Sequence, residues 1–164
     1  MIRVDFLRRR PSPLLLANLA LALVLFVATS LMHLVGLVGL SVLLRRRGVH
    51  PANLTTMTGQ GLSIVFIVVL LFLLHAAQIW LYALVYLALG EFQDVESALY
   101  FSTSTFTTVG FGDVYLDRPW RMLSAAESAN GFLLIGWSTA FLVSVSARVR
   151  AFQAEIFEAI DPDD

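Results

Sequence analysis

Residues 104–113 read Ser-Thr-Phe-Thr-Thr-Val-Gly-Phe-Gly-Asp. Within this run, Thr108-Val109-Gly110-Phe111-Gly112 sets glycine at alternate places, and glycine accepts positive φ where other residues are strained. The run can therefore take positive φ at both of those places, a backbone suited to chemistry by main-chain rather than side-chain groups. Other chemistries find little support. Cysteine is absent, which removes thiol nucleophiles, disulfides and Cys-type metal sites. The three histidines are scattered, and the abundant Ser and Thr show no spacing that requires catalysis. No enzyme reading has residues behind it.

The elements that must position this run are apolar. Of 164 residues, 58% are hydrophobic and only 14% charged, with a mean hydropathy of +0.79. That is the composition of a membrane protein with no room for a second globular domain. The net charge of −1 gives no reason to expect a nucleic-acid partner. Apolar stretches cover residues 13–44, 62–89 and 122–147, each longer than the roughly 20 residues that a span requires. The second and third are about 40 Å long at helical rise and should tilt or project. Trp80, Tyr82 and Tyr86 suit a membrane–water interface.

A half-length element lies between the second and third stretches. Asp94 is a good N-cap, and Glu96 sits at the positive end of the helix dipole. The helix that follows reaches Thr107, about 13 residues or roughly 20 Å, too short to cross. Non-helical backbone after a half-membrane helix is tolerable only where it is buried or lines water, so this geometry itself argues for a pore loop.

At these residues the chain resembles the tetrameric potassium-channel pore-domain family, and within it the small bacterial two-helix group with one extra N-terminal hydrophobic helix. The resemblance covers about residues 62–150. It implies an all-α membrane protein: outer helix, re-entrant pore helix and filter loop, inner helix, preceded by the additional helix. The regions would be an N-terminal hydrophobic helix and cytoplasmic linker (1–61), the pore domain (62–150) and a short amphipathic, acidic tail (151–164). Thr108, Val109, Gly110 and Phe111 would bind K⁺ through carbonyls, Thr108 adding its hydroxyl, and Gly112 would complete the outer mouth. One pore loop cannot encircle an axis, so the partners would be three further copies in a homotetramer, with lipid around it. The location implied is the bacterial inner membrane, crossed several times. Alternatives are a weakly selective cation channel or a non-conducting subunit of a channel assembly.

The chain departs from the commonest pattern of that family. Phe111 stands where tyrosine is usual, and Ser104 where some relatives carry a glutamate behind the filter. Support should then come from packing and hydroxyls around Tyr100, Phe101, Ser104 and Asp113, with Tyr100 alone able to donate to Asp113. Glu127, near the outer end of the inner helix, would reach solvent or a filter partner. Glu127 and Asn130 are polar residues inside a membrane helix and so candidates for function. Gly131 and Gly136 are candidate gating hinges or sites of close packing; Ser138 and Leu142 are candidates for lining the cavity. His33 and His75 are each about 12–13 residues from the cytoplasmic end of their runs. Either they meet as an intramembrane polar or proton-sensitive site, or each is neutral and separately bonded.

Arg45-Arg46-Arg47, Arg148 and Arg150 flank the pore unit and place the filter mouth outside by the positive-inside rule. Residues 13–44 read as one long helix rather than a hairpin at Thr29-Ser30, although a single crossing sets Arg3, Arg8, Arg9 and Arg10 against that rule. Residues 48–61 read as a polar linker and 151–160 as a short amphipathic helix. No arginine-rich voltage-sensor helix is present, and the opening stimulus stays undetermined.

Overall fold

The computed structural model describes residues 13–46 and 57–160. Four helices follow one another: α1 (Pro13–Arg46), α2 (Met57–Ala88), α3 (Val95–Phe106) and α4 (Arg121–Ile160). Three contain stretches long and apolar enough to cross a membrane: Leu14–Arg45, Gly61–Ala88 and Arg121–Ala147. The 12-residue α3 does not reach that length. With the three span candidates and no strand among the described residues, the chain is an all-helical integral membrane protein that crosses the bilayer several times.

α1 is continuous through Thr29-Ser30, so the hairpin alternative falls away. Nothing there breaks a helix, and a turn inside the bilayer would leave backbone groups unpaired. The arginines of residues 3–10 lie outside the described residues, as does residue 47–56 of the linker. One expected boundary is corrected. α2 begins at Met57, inside the expected linker, because Met57-Thr58-Gly59-Gln60-Gly61 holds no proline and Ser63 Oγ bonds back to the Gly59 carbonyl at 2.9 Å. Residues 151–160 are helical and continue α4 without a break to Ile160, since no proline or glycine falls between Gly136 and Asp161.

The described residues fall into two compact units, 13–28 with 80–131, and 29–46 and 57–79 with 132–160. In the first, Tyr82, Tyr86, Ala98, Phe101, Phe106, Leu116 and Leu123 are buried. Tyr86 meets Phe101 edge-on with centroids 5.4 Å apart, and Phe92 packs against both rings. The amide of Asn18 donates to the Pro119 carbonyl and so ties α1 to the loop before α4. In the second unit, Leu37 and Leu40 of α1 pack with Ile67 and Leu71 of α2, and Phe141, Leu142 and Val145 of α4 close over them. Leu142 is partly buried against this core.

Candidate functional site: a loop of unpaired carbonyls

The site is built from α3 forward. Asp94 caps the helix in extended conformation, its Oδ1 accepting from Ser97 N–H at 2.8 Å. That bond holds its carboxyl below the usual range. At the other end, the Thr107 N–H and hydroxyl both return to the Thr103 carbonyl, at 3.1 and 2.7 Å. The chain then leaves the helix but stays tethered to it. Thr108 N–H donates to the Thr105 carbonyl (3.0 Å) and Gly110 N–H to the Ser104 carbonyl (3.1 Å). Phe111 N–H donates to the Ser104 hydroxyl oxygen (3.3 Å). Ser104, where the resemblance would have allowed a glutamate, therefore anchors two loop amides.

Beyond those anchors the backbone alternates in hand. φ is +62° at Thr108, +56° at Gly110 and +76° at Gly112, while Val109 and Phe111 are not in that region. Glycine fits two of the three positions without strain; Thr108 is there at a cost of order 1–3 kcal/mol, a strain typical of functional loops. The carbonyls of Thr108, Val109, Gly110, Phe111 and Gly112 accept no hydrogen bond from any described residue. All five residues are exposed, Phe111 to 68%.

Support around the loop is aromatic and hydroxylic. The Tyr100 hydroxyl donates to Asp113 Oδ2 at 2.7 Å, which raises the phenol's pKa above its usual value. The Tyr100 ring stacks on Phe111, 9° from parallel, with centroids 6.1 Å apart. Phe111 thus has a partner for its face though it has no hydroxyl. Phe101 is packed among the buried aromatics and makes no polar contact with Asp113. A cavity of about 220 Å³ lies behind the loop, bounded by Ser104, Gly110, Asp113, Tyr115 and Ser128.

α4 grips α3 from behind. The Ser128 hydroxyl donates to the Thr105 carbonyl at 2.9 Å. Gly131 lies directly under the end of α3: a Cβ there would fall 2.0 Å from the Phe106 carbonyl oxygen. The close-packing role is visible at Gly131, whereas at Gly136 nothing approaches a Cβ within 4 Å.

Glu127 is not where the sequence placed it. It is fully buried, reaches no solvent, and bonds to no filter residue. The Tyr86 hydroxyl donates to its Oε2 at 2.5 Å and the Ser102 hydroxyl to its Oε1 at 2.6 Å. It joins α2, α3 and α4 behind the pore helix. Next to it, the Asn130 amide donates to the Tyr82 hydroxyl at 3.0 Å. Tyr82 and Tyr86, expected at an interface, are at most 1% exposed. A phenol in apolar surroundings needs a partner for its hydroxyl, and Asn130 and Glu127 supply it. The sequence signal was present: two tyrosines one turn apart on α2, and a carboxylate and an amide three apart on α4, are the spacing of matching helix faces.

In the second unit His33 and His75 do meet, with ring centroids 5.3 Å apart, so the separate-histidine reading is corrected. Gln78 and Ser138 complete the group. Ser138 is consequently 6% exposed and engaged with the histidines rather than lining a cavity.

Comparison with known proteins fits this arrangement. Residues 69–148, from within α2 to within α4, match the family model described as "Ion channel". The likeness, over residues 69–148, is to the two-transmembrane ion-channel group, a potassium-channel pore family. Neither curated proteins nor solved structures returned a match.

Proposed function

We propose that the chain is the subunit of a K⁺-selective channel, conducting passively through a homotetrameric pore whose filter is Thr108, Val109, Gly110, Phe111 and Gly112. The observation that carries this reading is the row of carbonyls without partners on a backbone of alternating hand. In the single chain these residues are exposed; gathered about one axis by four copies they would leave bulk water, where an unpaired carbonyl is costly and a cation would take the place of the missing donors. Four copies would set four such rows about one axis and four α3 C-termini, each with a partial negative charge, toward the space below. K⁺ would pass by knock-on between adjacent carbonyl sites, with no covalent step. The location that goes with this reading is the bacterial inner membrane.

Replacement of Gly110 or Gly112 by alanine tests the reading. A Cβ at positive φ disfavours the alternating backbone. Purified variants that keep their helical content and oligomeric size should carry no K⁺ current in planar bilayers. Currents equal to those of the unaltered protein would rule the filter out.

A further inference from the structure

Four side chains from three helices close a ring in the second unit. Gln78 Oε1 lies 3.1 Å from His75 Nδ1, and His75 Nε2 lies 3.0 Å from Ser138 Oγ. Ser138 Oγ lies 3.3 Å from His33 Nε2, and His33 Nδ1 lies 3.2 Å from Gln78 Nε2. His33 and Gln78 are fully buried.

One backbone group sets the direction of every bond. The Thr29 carbonyl can only accept, and Gln78 Nε2 lies 3.2 Å from it. The amide nitrogen is therefore on that side and also donates to His33 Nδ1. Oε1 then faces His75, whose Nδ1 must carry hydrogen, leaving Nε2 a bare acceptor. Ser138 donates to that Nε2 and itself accepts from Nε2–H of His33. With both imidazoles neutral, each donor in the ring meets an acceptor, and all bonds run the same way round.

The ring's two ways of taking a proton are unequal. At His33 Nδ1, a proton would confront the Gln78 N–H, which the Thr29 carbonyl holds in place. At His75 Nε2, a proton asks only that the Ser138 hydroxyl rotate. A hydroxyl oxygen has two lone pairs, so Ser138 can accept from both histidines and turn its own hydrogen to the carbonyl one turn back, as helical serines do. Trp137 lies against His33 with centroids 5.3 Å apart, a contact that favours a cation there but does not replace the bonds that proton would break. Each imidazole is the titratable neighbour the other faces. α2 holds no charged residue between 61 and 88; on α1 the nearest is Arg45, about 18 Å along the helix from His33, and on α4 the nearest are Arg148, about 15 Å, and Glu127, about 16 Å along the helix from Ser138.

We infer that the ring is a site for a single proton, taken by Nε2 of His75, and that the proton turns Ser138 from donor to double acceptor and tightens the hold of α2 on α4. A second proton would put two cations in rings already in contact, so occupancy stops at one per chain. α4 is the inner helix of the proposed pore. Acid therefore favours the α4 position seen here, a consequence that rests on the channel reading, whereas the proton site does not.

The test uses the full-length protein in lipid bilayers, with ¹⁵N-labelled imidazoles and His50→Asn to clear the third histidine's signals. Near pH 8, His75 should report hydrogen on Nδ1 and His33 on Nε2. On acidification to about pH 4, one proton per chain should appear, on His75 Nε2, with His33 unchanged. His75→Gln keeps a donor and an acceptor in place of the two ring nitrogens and should abolish the titration; His33→Gln should preserve it. Reversed tautomers, a first proton on His33, simultaneous charging of both rings, or no proton taken would each overturn the assignment. In planar bilayers, open probability should change once over the same range, and His75→Gln should remove that change. A pH-independent current beside a titrating His75 would overturn the coupling to α4. Absence of any K⁺ current at every pH would count against the channel reading, with the imidazole spectra still deciding the ring.

Discussion

Glu127 and the His33–Gln78–His75–Ser138 ring are both buried polar groups shared among membrane-spanning helices, and they are built on opposite principles. Glu127 offers lone pairs to donors from Tyr86 and Ser102. Both bonds converge on one carboxyl group. The ring has no such centre. Its bonds run in a circle through a serine hydroxyl that can accept as readily as donate. The difference teaches that satisfying a buried polar group has two outcomes: converging bonds fix helices, and circulating bonds leave a second arrangement within reach of one proton.

The sharpest way to break this contrast is at Gly131, beside the Glu127 cluster. A methyl group there meets backbone, not a movable side chain, so Gly131→Ala should cost on the order of 1–3 kcal/mol and displace the end of α3. Thermal unfolding in detergent, followed by circular dichroism, should show a lower midpoint; an unchanged one would mean the α3–α4 contact is looser than described. Glu127→Leu comes next. It removes the acceptor that the Tyr86 and Ser102 hydroxyls share, at about 1–3 kcal/mol, while Glu127→Gln keeps one acceptor oxygen and should lose roughly half as much. Equal losses would show that packing rather than bonding governs the site.

Smaller effects are expected outside the spans. Tyr100→Phe removes the donor to Asp113 and should speed loss of current during sustained recording, with little change in unfolding. The Tyr100 phenol's pKa is raised in the folded chain. Its bond should thus be intact below the unfolded tyrosine value, about 10, and lost as pH climbs through the higher folded one, so alkaline recordings should reproduce Tyr100→Phe. The smallest effect belongs to Asp94. Its carboxyl is depressed by the cap bond, so the cap is complete above the unfolded carboxylate value, about 3.9, and fades as pH falls through the folded one. Amide exchange at Ser97 should quicken in Asp94→Ala at neutral pH; unchanged exchange would mean the cap does not hold the first turn.

Local signals in the sequence carried far. Asp94 before an amphipathic dozen residues gave the half-membrane helix and its start, because capping and length are local properties. The glycines at 110 and 112 told where φ would be positive. The positive φ of Thr108 was not legible, since it follows from the turn by which the loop departs α3. Partners were harder. Glu127 was assigned to solvent or the filter, and Tyr82 and Tyr86 to an interface, because apolar spacing cannot tell a lipid-facing tyrosine from one meeting an amide on another helix. The same limit hid Ser138's role: His33 and His75 at similar depth suggested a meeting, but the hydroxyl that joins them is one of many on α4. The start of α2 is less legible: polar composition at residues 57–61 reads as linker, although the backbone there has nothing to stop a helix.

The central claim is that the unpaired carbonyls of Thr108 to Gly112 select K⁺. The most direct measurement is the reversal potential of the purified protein in a planar bilayer with K⁺ on one side and Na⁺ on the other. The account expects a value close to the K⁺ equilibrium potential and block of the current by Ba²⁺. A reversal potential near zero, with the current unaffected by Ba²⁺, would contradict it.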